Sequence, residues 1–205
     1  MEEKLTLTNI FDNYGGDKGS YFAHTDTTTN LAHNYTNVYE KYMSKFRDDN
    51  IKLLEIGLWC PYFPGASIKA WNDYFTNLNY YGIDIVDCTH LSTDKINISI
   101  VNQKDGNQLN EFLKDKGEFK FIIDDGCHEE DAIIISLGNL FPSLESGGVY
   151  FIEDLHVVDK TNLYKLKDKN FNSNLLTNEQ VDYINNNIDE CFFELDDKLC
   201  VLKKK

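Results

Sequence analysis

The stretch FIIDDGCHEE, residues 121–130, ends an apolar run on two adjacent carboxylates, Asp124 and Asp125, and places His128 three residues further on. A second run, GGVYFIED (147–154), ends on Glu153 and Asp154. Adjacent carboxylates are costly to withdraw from water unless a cation or several donors face them. Either water solvates these groups or something positive sits among them. Alternation along FKFIIDD sends Asp124 and Asp125 to opposite sides of the strand end, so only one need face a site. If the two runs are neighbouring strands, three carboxylates converge, and each raises the others' pKa unless a cation neutralises them. All-oxygen ligation suits Mg2+, Mn2+ or Ca2+. His128 then stands beside the cluster at the start of a helix, where a neutral imidazole is a suitable general base. The simpler alternative is that the aspartates cap the following helix and His128 is a surface residue.

A second pattern points to a nucleoside. LEIG (54–57) opens a glycine-containing loop, and YGIDI (81–85) follows about one strand–helix–strand unit later. Gly57 lets the backbone approach a ligand closely. An acid at the end of the next strand, Asp84, can accept hydrogen bonds from ribose hydroxyls. The alternative is that Glu55 and Asp84 are ordinary carboxylates at loop edges. A dinucleotide fingerprint would read GxGxxG, whereas this chain has GLWCPYFPG (57–65), which argues against a dinucleotide.

The elements that must position these residues alternate. Residues 33–47 carry Tyr35, Val38, Tyr39, Tyr42, Met43 and Phe46 at helical spacing. Buried strands are expected at 51–57, 79–85, 96–101, 119–124 and 147–154, and helices at 65–75, 106–117, 129–144 and 178–188. A polar stretch fills 159–174, and CFFEL and KLCVLKK flank Asp196 and Asp197 as a hairpin. Residues 1–30, with FDNYGGDKGS and TDTTTN, read as an N-terminal loop or lid. Strands alternating with helices imply a parallel sheet covered on both faces, a three-layer α/β/α sandwich closed by an antiparallel hairpin. Ligands of such sheets bind beyond the carboxyl ends of the strands, where Asp84, Asp124, Asp125, Glu153 and Asp154 stand.

Composition narrows the classes. The chain has 205 residues, 41% of them hydrophobic, with 12 Tyr and 13 Phe, which suits one folded domain rather than a disordered chain. A net charge of -14 repels phosphate backbones, so nucleic-acid partners are not expected. Lys203, Lys204 and Lys205 form the only basic run and read as a solvated tail. No apolar segment reaches the length of about 18 residues that a membrane span needs. The start, MEEKLTLTNI, does not resemble a signal peptide. The five cysteines, Cys60, Cys88, Cys127, Cys191 and Cys200, form no CxxC pair. We read them as reduced thiols, and the protein as cytoplasmic.

In this order, LEIG, SIKAWNDYF, YGIDI, FIIDDGCH and LFPSLESGGVYFIEDL resemble class I S-adenosylmethionine-dependent methyltransferases of the macrocin and mycinamicin sugar O-methyltransferase type, whose relatives also carry a cephalosporin hydroxylase-like label. The upstream YGGDKGS and HNYTNVYEKYM are similar to that family's N-terminal pieces. The resemblance implies a Rossmann-like, seven-stranded, mostly parallel sheet, S-adenosylmethionine as donor, and Mg2+ or Mn2+. It places Asp125, Glu153 and Asp154 as metal ligands and His128 as catalytic base. Glu55 and Gly57 line the methionine side of the donor, Asp84 the ribose and Gln103 the adenine. Asp124 flanks the adenosine or stands behind it, and Tyr14 and Lys18 belong to a lid. It divides the chain into an N-terminal lid segment, 1–48, and a catalytic part, 49–205, and allows a homodimer. The chain departs from the family in Trp59, Pro61, Phe63 and Pro64 after LEIG, in Asn102 where an acid is common, and in Cys127 where serine is usual.

The expected reaction is methyl transfer to a hydroxyl of a sugar or nucleotide-linked sugar, with His128 taking the hydroxyl proton. Two other readings use the same residues. One is a metal-independent N- or O-methyltransferase, the other an inactive module that binds the donor. An iron oxygenase is disfavoured, because His24, His33, His90, His128 and His156 include no HxD motif on a strand. His156 is either a loop histidine or part of an acceptor pocket.

Overall fold

The computed structural model describes residues 4–21, 32–58 and 64–205. His24, the TDTTTN stretch, and Trp59, Cys60, Pro61 and Phe63 lie outside the described residues. The chain divides into two compact units, residues 1–51 with 58–79, and residues 52–57 with 80–205.

The first unit is helical. It holds α1 (Leu7–Tyr14), α2 (Tyr35–Met43) and α3 (Ala66–Tyr74). The loop expected near the N-terminus is therefore in part a helix. Its signals are local: the Thr6 hydroxyl accepts from the Asn9 N–H at the start, and Gly15 turns left-handed, φ 76°, at the end. Leu7, Ile10 and Phe11 form its buried stripe. Phe11 and Tyr39 meet the Trp71 ring edge-on, with centroids 4.9 and 5.5 Å away. Tyr14 donates its hydroxyl to Asp73. Lys18 is buried, and its carbonyl accepts from the Thr36 N–H at 3.1 Å.

The second unit is built on the sheet. Its strands are β1 (Asn50–Ile56), β2 (Asn77–Asp84), β3 (Ile96–Ile100), β4 (Phe119–Asp124), β5 (Leu144–Ile152), β6 (Ile188–Glu194) and β7 (Leu199–Lys204). Their order across the seven-stranded sheet is β3-β2-β1-β4-β5-β7-β6. The pairs β1–β4, β2–β3 and β4–β5 are parallel, whereas β5–β7 and β6–β7 are antiparallel. The final hairpin turns through Leu195, Asp196 and Asp197 with φ of 55°, 55° and 63°. Helices α4 (Gly106–Leu113), α5 (Glu130–Leu140) and α6 (Asn178–Asn187) complete the unit. Asp105 caps α4 by accepting from the N–H groups of Asn107 and Gln108, and Thr177 with Gln180 forms a capping box on α6.

The core follows from the two periods. Alternate strand residues Leu54 and Ile56, Ile122, Tyr150 and Ile152, and Cys200 and Leu202 pack against Leu109 of α4, Ile133, Leu137 and Leu140 of α5, and Ile184 of α6. The polar stretch after β5 also contributes. It contains a short 3-10 segment, Leu163–Leu166, and buries Leu163, Leu166 and Phe171 in the same cluster. This packing fixes α5, and the first turn of α5 follows directly on His128. Leu137→Ala leaves a cavity in a side chain that is fully buried. It is expected to cost about 2–5 kcal/mol in a urea unfolding titration.

Candidate active site

The tips of β4 and β5 leave the sheet side by side. Asp124 pairs with Ile152 in the β4–β5 register. The ladders run one residue past the strands: the Asp125 N–H donates to the Ile56 carbonyl, and the Glu153 N–H to the Asp124 carbonyl, both at 2.9 Å. Asp125 and Asp154 thus emerge next to each other, and the turn after β4 brings His128 over them. Asp125, His128 and Asp154 each offer a ligand atom within 4.8 Å of the others. His128 Nε2 lies 3.4 Å from Asp154 Oδ2 and 3.9 Å from Asp125 Oδ1. All three are half-buried. Glu153 is not in that group and is 1% exposed. His156 Nδ1 stands 3.9 Å from Asp154 Oδ1, the other oxygen of the carboxylate that His128 approaches.

The backbone at this point is unusual. His128 and Asp154 both have left-handed φ, 51° and 53°. Residues with side chains enter that region at a cost of about 1 kcal/mol or more, and such residues concentrate at functional sites. Neither aspartate is the N-cap of α5: that position is Glu129, whose side chain makes no capping hydrogen bond.

Asp124 faces the other way, into the protein. It is 2% exposed. Its Oδ1 accepts from Gln103 Nε2 at 3.0 Å, and its Oδ2 from the hydroxyls of Ser136 and of Tyr150. The Gly126 N–H also donates to it. Burial nevertheless pushes its pKa up from 3.8 to about 6, against the lowering effect of these donors. Gln103 uses its other end on the same turn, accepting from the Cys127 N–H at 2.8 Å. Ser136 and Tyr150 were not singled out from the sequence. Their only signal is a hydroxyl within otherwise apolar runs, AIIIS in α5 and YFI in β5, and such positions are usually local satisfactions of the backbone.

The remaining expected donor contacts lie near the tips of β1 and β2. Glu55 is buried and accepts from the Tyr80 hydroxyl. Asp84 is 9% exposed, and its Oδ1 accepts from the Val86 N–H at 2.8 Å. Gly57 has φ 85°, and a Cβ there would fall 1.9 Å from the Asp125 carbonyl oxygen. The glycine therefore serves close passage of the loop after β1 beneath the turn after β4, a role the sequence pattern does not distinguish from approach to a ligand. Tyr14 and Lys18 belong to the first unit, described above.

No protein-family model matches the chain. Curated proteins do. Demethylmacrocin O-methyltransferase of Streptomyces fradiae is 33% identical over 126 residues, covering 60% of this chain and 32% of its own length. Mycinamicin VI 2''-O-methyltransferase of Micromonospora griseorubida is 32% identical over 128 residues, covering 61% and 32%. A rhamnosyl tetracenomycin-C 3'-O-methyltransferase of Streptomyces olivaceus is 32% identical over 144 residues, covering 68% and 37%. The chain is thus similar in sequence to part of each of these O-methyltransferases. It spans about a third of the length of these relatives. The solved MycE methyltransferase of the mycinamycin biosynthetic pathway, in complex with Mg, SAH and mycinamycin VI, superimposes with a TM-score of 0.78 at 23% identity, covering 98% of this chain and 55% of that one. The fold is therefore the three-layer, Rossmann-like fold of that structure: strand–helix alternation implies the layers, and the family resemblance the rest.

The residues at the β4 and β5 tips fit a hard dication. Asp125 and Asp154 supply carboxylate oxygens from two chain segments, and such oxygens suit Mg2+ or Mn2+. The imidazole of His128 approaches the same point.

Two outcomes are expected. Asp124 holds its proton more tightly folded than unfolded, so folding is favoured below about pH 4 and loses that advantage as pH rises to about 6. The loss amounts to about 3 kcal/mol, and Asp124→Asn, measured in EDTA, removes that pH dependence from the melting curve. Gly57→Ala is expected to destabilise the protein by more than about 1 kcal/mol in the same assay.

Proposed function

We propose that the protein is an S-adenosylmethionine-dependent O-methyltransferase that acts with a divalent cation on a hydroxyl of a sugar or a sugar-containing metabolite. The observation that carries this reading is the convergence of Asp125, His128 and Asp154 at neighbouring strand tips, in the fold of a methyltransferase. The named activities of the relatives, all O-methyl transfers and one of them on a rhamnosyl compound, support the acceptor class.

In this reading Asp125 and Asp154, with Glu153 as the third expected ligand, hold Mg2+ or Mn2+. The cation, when bound, lowers the pKa of an acceptor hydroxyl and orients it. His128 takes the hydroxyl proton through Nε2, the atom that faces the two carboxylates. Glu55, Gly57, Asp84 and Gln103 line the donor, and Tyr14 and Lys18 are the expected lid residues. Asp124 stands behind the donor and the turn. In-line displacement at the donor methyl then depends on positioning more than on covalent chemistry. The free acceptor is a small molecule, a sugar or nucleotide-linked sugar. Nucleic acid is disfavoured by the charge of -14. Among the described residues no helix is long and apolar enough to cross a membrane. A cytoplasmic location and a homodimer complete the reading.

The test is transfer of a labelled methyl group from S-adenosylmethionine to a panel of rhamnosides and nucleotide-linked sugars. EDTA is expected to abolish transfer and Mg2+ to restore it. Unchanged turnover without metal would leave a metal-independent methyltransferase. Full donor binding with no transfer to any acceptor would leave an inactive binding module. His128→Ala is expected to lower kcat by about 10²–10⁴-fold while changing Mn2+ affinity by less than about threefold. Loss of Mn2+ binding together with turnover would make His128 a ligand instead of a base.

A further inference from the structure

The turn from Asp125 to His128 carries two of the three converging groups, yet it is a short surface turn with a strained residue at its end. Something must hold it. Three main-chain N–H groups of this segment are engaged in sequence. Asp125 N–H bonds the Ile56 carbonyl at 2.9 Å, Gly126 N–H bonds the Asp124 carboxylate, and Cys127 N–H bonds Gln103 Oε1 at 2.8 Å. Two of these three bonds end on side chains, Asp124 and Gln103, and those side chains bond each other at 3.0 Å. The carboxylate of Asp124 is in turn fixed from below by the hydroxyls of Ser136, in the middle of α5, and Tyr150, in β5. Ser136 and Tyr150 are fully buried. The Gly126 position is packed so closely that a Cβ there would fall 1.9 Å from Gln103 Oε1.

We infer that Ser136 and Tyr150 are positioning residues. They clamp Asp124, and through Asp124 and Gln103 they set the 125–128 turn so that Asp125 and His128 face Asp154. The inference rests on the reading proposed above for what those groups do. It assigns a role to two residues that touch none of the three converging groups and reach them only through Asp124. The chemistry favours a clamp over a merely filled core. A hydroxyl donating to a buried carboxylate makes a charge-assisted bond, roughly twice as strong as a neutral one. Replacing either hydroxyl by hydrogen leaves the carboxylate one donor short in a dry site, where that deficit is most costly. The easiest relief is rotation of Asp124 toward solvent, which drags Gly126 with it.

Ser136→Ala, Tyr150→Phe and the double variant of the full chain test this. Tyr150→Phe removes one oxygen and keeps the ring, so it tests the inference even if Ser136→Ala fails to fold. Two readouts are used. Mn2+ and S-adenosylhomocysteine affinities are measured separately by calorimetry, with Asp125→Asn as the control that removes a ligand. Hydrogen exchange is followed at residues 125–128 and across β4 and β5. The variants are expected to weaken Mn2+ binding by about tenfold, with a smaller loss of donor-product affinity through Gln103 and faster exchange confined to the turn. Unchanged Mn2+ affinity and unchanged exchange in the turn would overturn the inference. So would a loss of protection spread evenly over the sheet, which marks a purely structural role. A wild-type chain that binds no Mn2+ would count against the metal reading alone, because exchange in the turn still decides whether Ser136 and Tyr150 hold it.

Discussion

The parallel register of β4 against β5 is the constraint on which the rest depends. It sets Asp124 beside Ile152, and the ladder continues through the Glu153 N–H to the Asp124 carbonyl. Whatever follows those strands must then emerge side by side. Here that is Asp125 from one strand and Asp154 from the other, with His128 brought back over both. Carboxylates so close repel each other, and the repulsion falls when a cation or a protonated imidazole shares the space. A fold that only needed stability would place apolar or neutral residues at these tips.

Two neighbouring aspartates have opposite fates for a simple reason. Strand alternation turns Asp124 inward and Asp125 outward. The inner one is buried among Gln103, Ser136 and Tyr150, and its pKa rises to about 6 because desolvation outweighs its donors. The outer one keeps access to solvent and to a ligand. The left-handed backbone at His128 and Asp154 is the local cost of this geometry. The inner network is what can sustain it, since buried polar groups that are fully engaged resist rearrangement.

Much of this was legible in the sequence, and what was not has physical causes. Short apolar runs stopped by glycine or by acids marked β1, β4 and β5, because buried parallel strands have few other signatures. Adjacency of the β4 and β5 tips followed from the order of elements. The helix α1 escaped notice because its eight residues lie among glycines and polar residues, although Thr6 and Gly15 bracket it correctly. The 3-10 segment at Leu163–Leu166 was hidden for a similar reason: its buried residues are spaced among lysines and asparagines. Glu153 and Asp154 are indistinguishable in sequence, yet only Asp154 joins the group that approaches His128. β5 ends at Ile152 and its ladder at the Glu153 N–H, and the backbone then turns left-handed at Asp154, which no residue pattern announces. Ser136 and Tyr150 were illegible because their partner lies in another element, 12 and 26 residues away along the chain.

The central claim is that the gap between the β4 and β5 tips is a dication site beside a bound nucleoside. Anomalous diffraction from a crystal soaked with Mn2+ and S-adenosylhomocysteine measures this directly. The account requires a Mn2+ peak between the carboxylates of Asp125 and Asp154, with the nucleoside along the tips of β1 and β2. Nucleoside density with no peak at that gap, or a Mn2+ peak held elsewhere on the protein, would contradict it.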